Sequence, residues 1–399
     1  MKNYCNVNNW TIYSFGELIK SIQNGFASGE RDKNGIIQFR MNNVNCNAQM
    51  ILDDYIRVPM ELFKEKYNVQ RGDILFNHTN SAEMVGKSFV FNGYKEPVTF
   101  SNHFSRIRLF REIADPQFIV YYFVQLFHQR FFENLCDRWI HQAAFQNEKI
   151  MKIPIALPPL FEQKRIVKII ESKLKIIENI KNAINDQLYL TELFFDSYLQ
   201  KIICNYEGKK CKLGDIGNCF IGLTYSPDNI STNGIPVLRS GNIQNAKLDF
   251  SDIVRVKQKI KDTLFLCNKD ILICARNGSK KLIGKAALVQ DLPEKMSFGA
   301  FMSVFRSQYN NYVYYFLQTK YFRQQLTKSG TNTVNQLTQE VLKNIYIYLP
   351  SINEQKIIVK MIDQKFKHIE ILRTKLNNQL SYINALTSSI LHKAFQGEL

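Results

Sequence analysis

The chain has 399 residues, 45% of them hydrophobic and 13% aromatic, which is enough for two folded domains and excludes a disordered chain. Its formal net charge of +17 indicates a polyanionic partner. No apolar run reaches the roughly 18 residues of a membrane span, and the N-terminus lacks a signal peptide's apolar core, so we expect a cytoplasmic protein. The 8 cysteines and 6 histidines are scattered, which predicts free thiols and no metal site.

The first part of the chain predicts an α+β domain. Short β-rich runs at 35–40, 73–76 and 87–91 are separated by turns rich in Asn and Gly, and a helix is expected over 116–132. The strands do not alternate with helices along the chain, which excludes a Rossmann-type sheet.

A long helix is predicted over 157–201, because no proline or glycine follows Pro158 and Pro159 for some forty residues. At 1.5 Å per residue it spans roughly 60 Å. Apolar residues recur at alternating spacings of three and four, which is typical of a coiled-coil seam. The predicted seam residues are Val167, Ile170, Leu174, Ile177, Ile184 and Leu188.

The second half of the chain repeats the first half element by element. The segment around Arg239 matches the segment around Arg40, an offset of 239 − 40 = 199 residues, and similar short matches follow in the same order. Between these matches the loops differ, most clearly at 77–81 against 276–281. A duplicated scaffold with dissimilar loops is what two separate recognition domains require.

A second long helix is predicted at the C-terminus, where Ser351 and Glu354 form a capping-box pattern. Its Glu-Gln-Lys triplet follows that of the first helix by 354 − 162 = 192 residues, and Lys181 and Arg373 interrupt the two stripes at matching points. This coincidence favours pairing of the two helices over the alternative in which each helix covers only its own domain. The second stripe contains Val359, Ile362, Phe366, Ile369, Leu376, Leu380 and Ile383.

Four segments resemble the specificity subunits of Type I restriction-modification systems: 157–167, 235–243, 349–356 and 391–399. The resemblance implies an α+β fold with a pseudo-two-fold internal repeat, in which two similar target-recognition domains are separated by two long antiparallel coiled-coil helices. We expect the recognition domains at 1–156 and 204–348, and the spacer helices at 157–203 and 349–399. The departures are small: the first copy has Pro159 where the second has the capping Ser351, and it has Ile37 where the second has Pro236.

The resemblance also implies the partners. Each recognition domain reads one half of a split target in double-stranded DNA, and two modification subunits, which carry S-adenosylmethionine, methylate adenine. Restriction subunits that use ATP complete the assembly, so we expect S-adenosylmethionine, ATP and Mg²⁺ on partner subunits and no cofactor on this chain. Ile166, Ile169, Ile176 and Ile180 lie outside the seam and are expected to receive modification subunits or to pack on their own domain.

Candidate DNA-binding residues are those whose side chains match base edges or phosphates. Residues at matched points of the repeat are expected to be structural or to bind phosphate, whereas the divergent loops 77–81 and 276–281 are expected to read bases. The candidates are Arg40, Asn42, Asn43, Asn77, His78, Asn80 and Lys87 in the first half, and Arg239, Asn242, Arg276, Asn277, Lys280, Lys281 and Lys285 in the second, with Asn332, Asn335 and Gln336 as further possibilities.

Two alternatives to a recognition subunit remain. A stand-alone endonuclease or methyltransferase is disfavoured because no catalytic methylation loop is present, and 86–88 resembles only the end of a phosphate-binding loop. A coiled-coil scaffold without DNA function leaves the net charge of +17 unexplained. The sequence therefore predicts a non-catalytic DNA-recognition subunit.

Overall fold

The computed structural model describes residues 10–140, 142–328 and 336–399. The chain divides into two compact units, the first comprising residues 1–184 and 378–399 and the second comprising residues 185–377. Each unit contains one α+β domain together with a stretch of each long helix. The predicted fold class and the predicted duplication are confirmed.

The domain of the first unit is built on a four-stranded antiparallel sheet and a three-stranded sheet with one parallel pair. Strand Ile74–Asn77 is buried at all four positions, because it lies inside the larger sheet with helices covering it. The strand order of the larger sheet is Ile19–Asn24, Phe104–Leu109, Ile74–Asn77, Ser88–Val90, and that of the smaller sheet is Ile56–Val58, Ile36–Phe39, Val98–Phe100. In addition, Thr11–Ser14 pairs with Pro154–Leu157. A short third sheet is formed by Asp137–Arg138, Ala143–Ala144 and Thr79–Asn80.

The domain of the second unit repeats the four-stranded sheet, the three-stranded sheet and the pair formed by the first and last strands, in the same strand order. Strand Ile271–Cys274 is again buried throughout. The strand order of the larger sheet is Asn218–Ile221, Met302–Arg306, Ile271–Cys274, Ala286–Leu288, and that of the smaller sheet is Val254–Val256, Ile230–Leu238, Ser297–Phe298. In addition, Lys209–Lys212 pairs with Tyr346–Leu349, and Ile243–Gln244 pairs with Lys247–Leu248. The duplication therefore extends from sequence to sheet topology.

The duplication also extends to buried ion pairs that the sequence comparison did not detect. Arg108 donates from Nε to Asp73 at 2.8 Å, and Arg306 donates from Nε to Asp270 at the same distance. Both carboxylates are almost fully buried and also accept a backbone N–H three residues earlier. A buried carboxylate needs such partners, so these pairs fix the turn before each central strand.

The two long helices run over Leu160–Cys204 and Ile352–Phe395, close to the predicted bounds. The predicted capping box is present, because Ser351 N–H donates to Glu354 Oε2 at 2.9 Å and Glu354 N–H donates to Ser351 Oγ at 3.4 Å. The repeated Glu-Gln-Lys triplet also has a structural reason. Gln163 donates to the carbonyl of Pro158 at 2.9 Å, and Gln355 donates to that of Pro350 at 2.7 Å.

The helix predicted over 116–132 is wrong in one respect: it is two helices, Pro116–His128 and Phe131–Leu135. The chain turns at Arg130, whose φ is 57°. The break directs Phe132 into the core, where its ring lies 5.3 Å from that of Phe76. The other α-helices of the described residues are Asn147–Met151, Leu213–Ile216, Asn310–Phe316, Lys320–Lys328 and Gln339–Asn344.

The long helices pack on each other within each unit, as predicted. In the first unit Arg165 donates to the carbonyl of Leu399 at 2.5 Å, and in the second Phe195 and Phe366 lie 5.3 Å apart. In the second unit Glu192 contacts Arg373 and Phe195 contacts Phe366, so residue numbers rise along one helix as they fall along the other, and the two helices are antiparallel. All the predicted seam residues are buried or half-buried.

The residues predicted outside the seam differ in burial. Ile166 is buried in the core of the first unit and Ile169 is half-buried, whereas Ile176 and Ile180 are exposed. Arg373, which interrupts the second stripe, pairs with Glu192 at 2.8 Å. Among the helices of the described residues, none combines the length and apolarity needed to cross a bilayer.

Candidate nucleic-acid interface

Three loop segments meet at the ends of the central strands in each unit. We call residues 40–44, 77–81 and 101–103 the first loop cluster, and residues 239–243, 274–281 and 299–301 the second loop cluster. In the first, His78 N–H donates to the carbonyl of His103 at 3.0 Å; in the second, Ala275 N–H donates to that of Phe301 at 2.9 Å. The two clusters therefore share one backbone framework.

This framework identifies which side chains occupy equivalent positions. Thr79 and Arg276 each donate a backbone N–H to the same carbonyls, at 3.4 and 2.9 Å. Thr79 in the first unit therefore corresponds to Arg276 in the second, and His103 corresponds to Phe301. At each of these positions the chemistry of the side chain differs between the units, while the backbone is held alike.

Asn43 and Asn242, two of the predicted DNA-binding residues, are buried and hold the first segment of each cluster. The backbone N–H of Arg40 donates to Asn43 Oδ1, and that of Arg239 donates to Asn242 Oδ1, both at 2.8 Å. Each amide nitrogen then donates to two backbone carbonyls, those of Ile51 and Asp54 or of Asp249 and Asp252. These amides are fully used inside the fold, so neither faces a base.

Lys87 and Lys285 are a second matched pair with a structural role. The ammonium of Lys87 donates to the carbonyls of Met41 and Val44 at 2.8 and 3.0 Å, and that of Lys285 donates to the carbonyl of Ser240 at 3.5 Å. Lys87 is buried, and burial lowers its pKa. Each lysine ties the start of an edge strand, Ser88–Val90 or Ala286–Leu288, to the arginine-containing segment.

Asn77 and Asn80 stabilise the divergent loop of the first cluster. Asn77 is fully buried and donates to the carbonyls of Thr79 and His103, both at 3.0 Å. Asn80 donates to Asn77 Oδ1 at 2.7 Å, and its own Oδ1 accepts the backbone N–H of Ser81 at 2.8 Å. These bonds leave Asn80 with less capacity for base contact than the sequence indicated.

His78 is held as a neutral imidazole. Burial, reinforced by the neighbouring charge of His103, lowers the pKa of His78 to about 4. Its Nδ1 lies 2.9 Å from Ser105 Oγ, which also contacts the side-chain oxygens of Asn24 and Asn147. Ser105 Oγ therefore joins the ring of His78 to two asparagine side chains, which holds the ring in place.

The surface of the first cluster is formed by other residues. Asn42 is exposed and Arg40 is half-buried, and the charge of Arg40 contributes to the lowered pKa of His103, whose main cause is burial. The hairpin that pairs with Thr79–Asn80 adds Trp139 and Ile140, whose exposed fractions are 60% and 92%. Sequence reasoning missed His103 and this hairpin.

The second cluster is more basic. Arg276 is exposed, its Nη2 donates to Gln336 Oε1 at 2.5 Å, and its guanidinium lies 5.5 Å from the ring centre of Phe301. Lys280 and Lys281 are exposed on the short turn Lys280–Leu282. A cation held over an aromatic ring is stabilised there, so Arg276 is presented in a defined orientation.

The remaining candidates of the second cluster are partly engaged. Asn277 donates to Ser240 Oγ at 3.2 Å, and Arg239 pairs with the exposed Asp252 at 2.9 Å. Gln336 lies beside Arg276, whereas Asn332 and Asn335 lie outside the described residues. Within the described part of the chain, no three His, Cys, Asp or Glu residues are grouped so that they could hold a metal ion.

Two copies of one scaffold, each with its own set of polar and basic loop residues, are the arrangement of a duplicated recognition protein. The sequence profile described as "Type I restriction modification DNA specificity domain" matches residues 8–189 and 206–382. The chain therefore belongs to the family of Type I restriction-modification specificity proteins.

Individual relatives agree with this assignment. The chain is 24% identical over 392 residues to the putative type I restriction enzyme MjaX specificity subunit of Methanocaldococcus jannaschii, covering 91% of this chain and 88% of that protein. It is 25% identical over 389 residues to the type I restriction enzyme StySPI specificity subunit of Salmonella potsdam, covering 90% of this chain and 81% of that protein.

The fold is also found in a solved structure. A chain from a study of complex assembly and conformational transition of the type I R-M system matches with a TM-score of 0.77 and 20% identity, covering 98% of both chains. At this identity the likeness concerns the fold alone.

Proposed function

We propose that this chain reads an asymmetric, bipartite DNA target for a Type I restriction-modification complex. The observation that carries the proposal is one repeated backbone with different side chains, in which equivalent hydrogen bonds hold Thr79 in the first loop cluster and Arg276 in the second. A symmetric dimeric reader presents identical side chains to both half-sites. This chain presents different ones, so its two half-sites differ in sequence.

In the second loop cluster the proposed base reader is Arg276. An exposed guanidinium can donate to both acceptor atoms on the major-groove edge of guanine, and its position over Phe301 reduces the cost of ordering it. Lys280 and Lys281, exposed on the adjacent turn, are proposed phosphate contacts that supply affinity without sequence information.

In the first loop cluster the proposed readers are Arg40, Asn42 and His78. Asn42 is exposed, and an amide can bond to both major-groove atoms of adenine. His78 is held neutral, and the nitrogens of a neutral imidazole can bond to polar atoms on a base edge. The buried side chains of Asn43, Asn77, Asn242 and Lys87 shape the loops and are not proposed to touch bases.

The modification subunits are proposed to bind the exposed apolar side chains of the long helices, because contiguous exposed apolar surface marks protein contacts. In the second unit a groove of about 500 Å³ between the helices is lined by Leu190, Phe194 and Leu372 among others. Further exposed apolar residues are Ile176, Ile180, Tyr382 and Leu386 in the first unit and Tyr189, Leu193 and Ile371 in the second.

The chain itself is proposed to be non-catalytic and to act in the cytoplasm. S-adenosylmethionine is expected on the modification subunits, and ATP and Mg²⁺ on the rest of the complex. The restriction subunits, where present, join through this assembly. The chain then contributes recognition and position, and its partners contribute the chemistry.

Reconstitution of the chain with its modification subunits tests the proposal. We expect a footprint over two separated half-sites, binding that weakens steeply with salt, and methyl transfer only when the modification subunits are present. Methyl transfer or cleavage by the purified chain alone would favour the hypothesis of a stand-alone enzyme. Binding without salt dependence or sequence preference would favour the hypothesis of a scaffold without DNA function.

A further inference from the structure

The second loop cluster contains a cleft of about 680 Å³ beside Phe301. Its walls come from the segments that hold Tyr225, Arg239 and Gly299, and the last two of these segments belong to the second loop cluster. The volume lies within the range of small-ligand sites, roughly 300–1,000 Å³. A volume of this size admits a flat ring system.

The chemistry of the cleft suits an electron-rich aromatic ring rather than a cation. Phe301 is 58% exposed although it is a large apolar residue, and Tyr225 contributes a second aromatic side chain. Of the described residues that line the cleft, none is acidic, and Arg239 supplies the charge. Arg239 is partly balanced by Asp252, which lies outside the lining.

Glycines keep the cleft open. A Cβ atom built on Gly241 meets nothing within 4 Å, and one built on Gly299 has its nearest neighbour at 3.8 Å. The equivalent positions in the first unit carry larger residues. Asn42 corresponds to Gly241, because each precedes the matched asparagine by one residue, and Ser101 corresponds to Gly299, as the matched bridges to Phe26 and Leu223 indicate. The opening is therefore specific to the second unit at these positions.

We infer that this cleft takes one unstacked nucleobase of the second half-site, with Phe301 as the surface on which the base stacks. The inference rests on the proposed function, since it needs DNA on the second loop cluster. A base inside an intact duplex shows only its edge, which protruding side chains can read. An aromatic cleft instead meets the face of a base, and that face is available only after unstacking.

The test is a scan with 2-aminopurine placed in turn at each position of the second half-site, on both strands, in complexes with the modification subunits. The adenine that becomes methylated is left out of the scan, because the modification subunit can extrude it. We expect a several-fold change in 2-aminopurine fluorescence at one position. The change should be lost in Gly241→Leu, which fills the cleft, and in Phe301→Ala, and kept in Phe301→Tyr.

Gly29→Leu is the matched control, because a Cβ there also meets nothing within 4 Å and the residue lies in the other domain. It should leave the signal unchanged. If no position responds while the wild-type complex still protects both half-sites, the inference is overturned and the proposed function stands. An equal response in Gly241→Leu overturns it as well, and a wild-type complex that protects no specific site overturns both.

Discussion

Asn43 and Asn242 make the same three hydrogen bonds in the two units: each accepts the N–H of an arginine three residues earlier and donates to two carbonyls of the following loop. Both side chains are at most 3% exposed. The loop shape is thus fixed from inside the domain. The exposed side chains beside these amides are free to differ without altering the loop.

Replacing Asn43 with alanine should lower the free energy of unfolding of the first unit by about 2–4 kcal/mol. The change leaves two carbonyls and one N–H, which the buried amide had satisfied, without partners in the protein, and each such group costs roughly 1–3 kcal/mol unless water reaches it. Chemical denaturation measures the loss. Asn42→Ala is the control, because Asn42 is exposed, and its effect should stay within about 0.5 kcal/mol. Equal effects would show that the buried amide is not structural.

Arg276→Ala should relax sequence preference at one base pair of the second half-site by about 1–3 kcal/mol and leave the first half-site unchanged. Competition binding with single-base variants of the target measures this. Lys281→Ala should instead weaken binding to all sequences alike and reduce the salt slope by about one. Uniform weakening by Arg276→Ala would remove it from the base readers.

Acid should destabilise the first unit partly through His78. Its pKa is about 4 in the folded protein against an ordinary value of 6.5, so the unfolded chain takes up the proton first. The stability that the folded protein gains from a neutral His78 is present in full above pH 6.5 and is lost as the pH falls toward 4. Unfolding measured over this range should lose up to about 3 kcal/mol more in the wild type than in His78→Gln. Parallel curves would contradict the assignment.

The length of the helices should set the spacing between half-sites. Deleting seven residues between 170 and 184, together with the seven that face them on the second long helix, shortens the pair by about 10 Å. This is about three base pairs at 3.4 Å each. Methylation profiling should then show a shorter spacer between unchanged half-sites, and an unchanged spacer would contradict the prediction.

Phe395 should anchor the end of the second long helix to the first unit. Its ring lies 5.0 Å from that of Phe118 and 5.3 Å from that of Tyr122, and it is 8% exposed. Phe395→Ala should lower the free energy of unfolding of this unit by about 3–5 kcal/mol. Tyr382→Ala, at a side chain 74% exposed on the same helix, should change it little.

The duplication and the helix pair could be predicted from the sequence, because the scaffold demands particular residues at particular spacings. Gln163 and Gln355 must reach a carbonyl five residues earlier, so both copies carry the same triplet. The break at Arg130 could not be predicted, because the apolar pattern continues through Phe131 and Phe132. Only the core position of Phe132 explains why the helix ends there.

The candidate interface could be predicted only in part. Asn42 and Asn43 are adjacent and identical in type, yet one is exposed and the other is buried. Composition cannot separate them, because the difference arises from which amide meets the loop carbonyls. His103 and Phe301 were missed for a related reason: they share a backbone position but no side-chain chemistry. Their place just before strands Phe104–Leu109 and Met302–Arg306 is the signal that could have located them.

The most direct test of two dissimilar reading domains on one repeated scaffold is sequencing of methylated adenine in cells that contain the modification subunits, with and without this chain. We expect a methylated motif that appears only with the chain, consists of two different half-sites and has a fixed spacer between them. A palindromic or continuous motif, or methylation that is the same without the chain, would contradict the account.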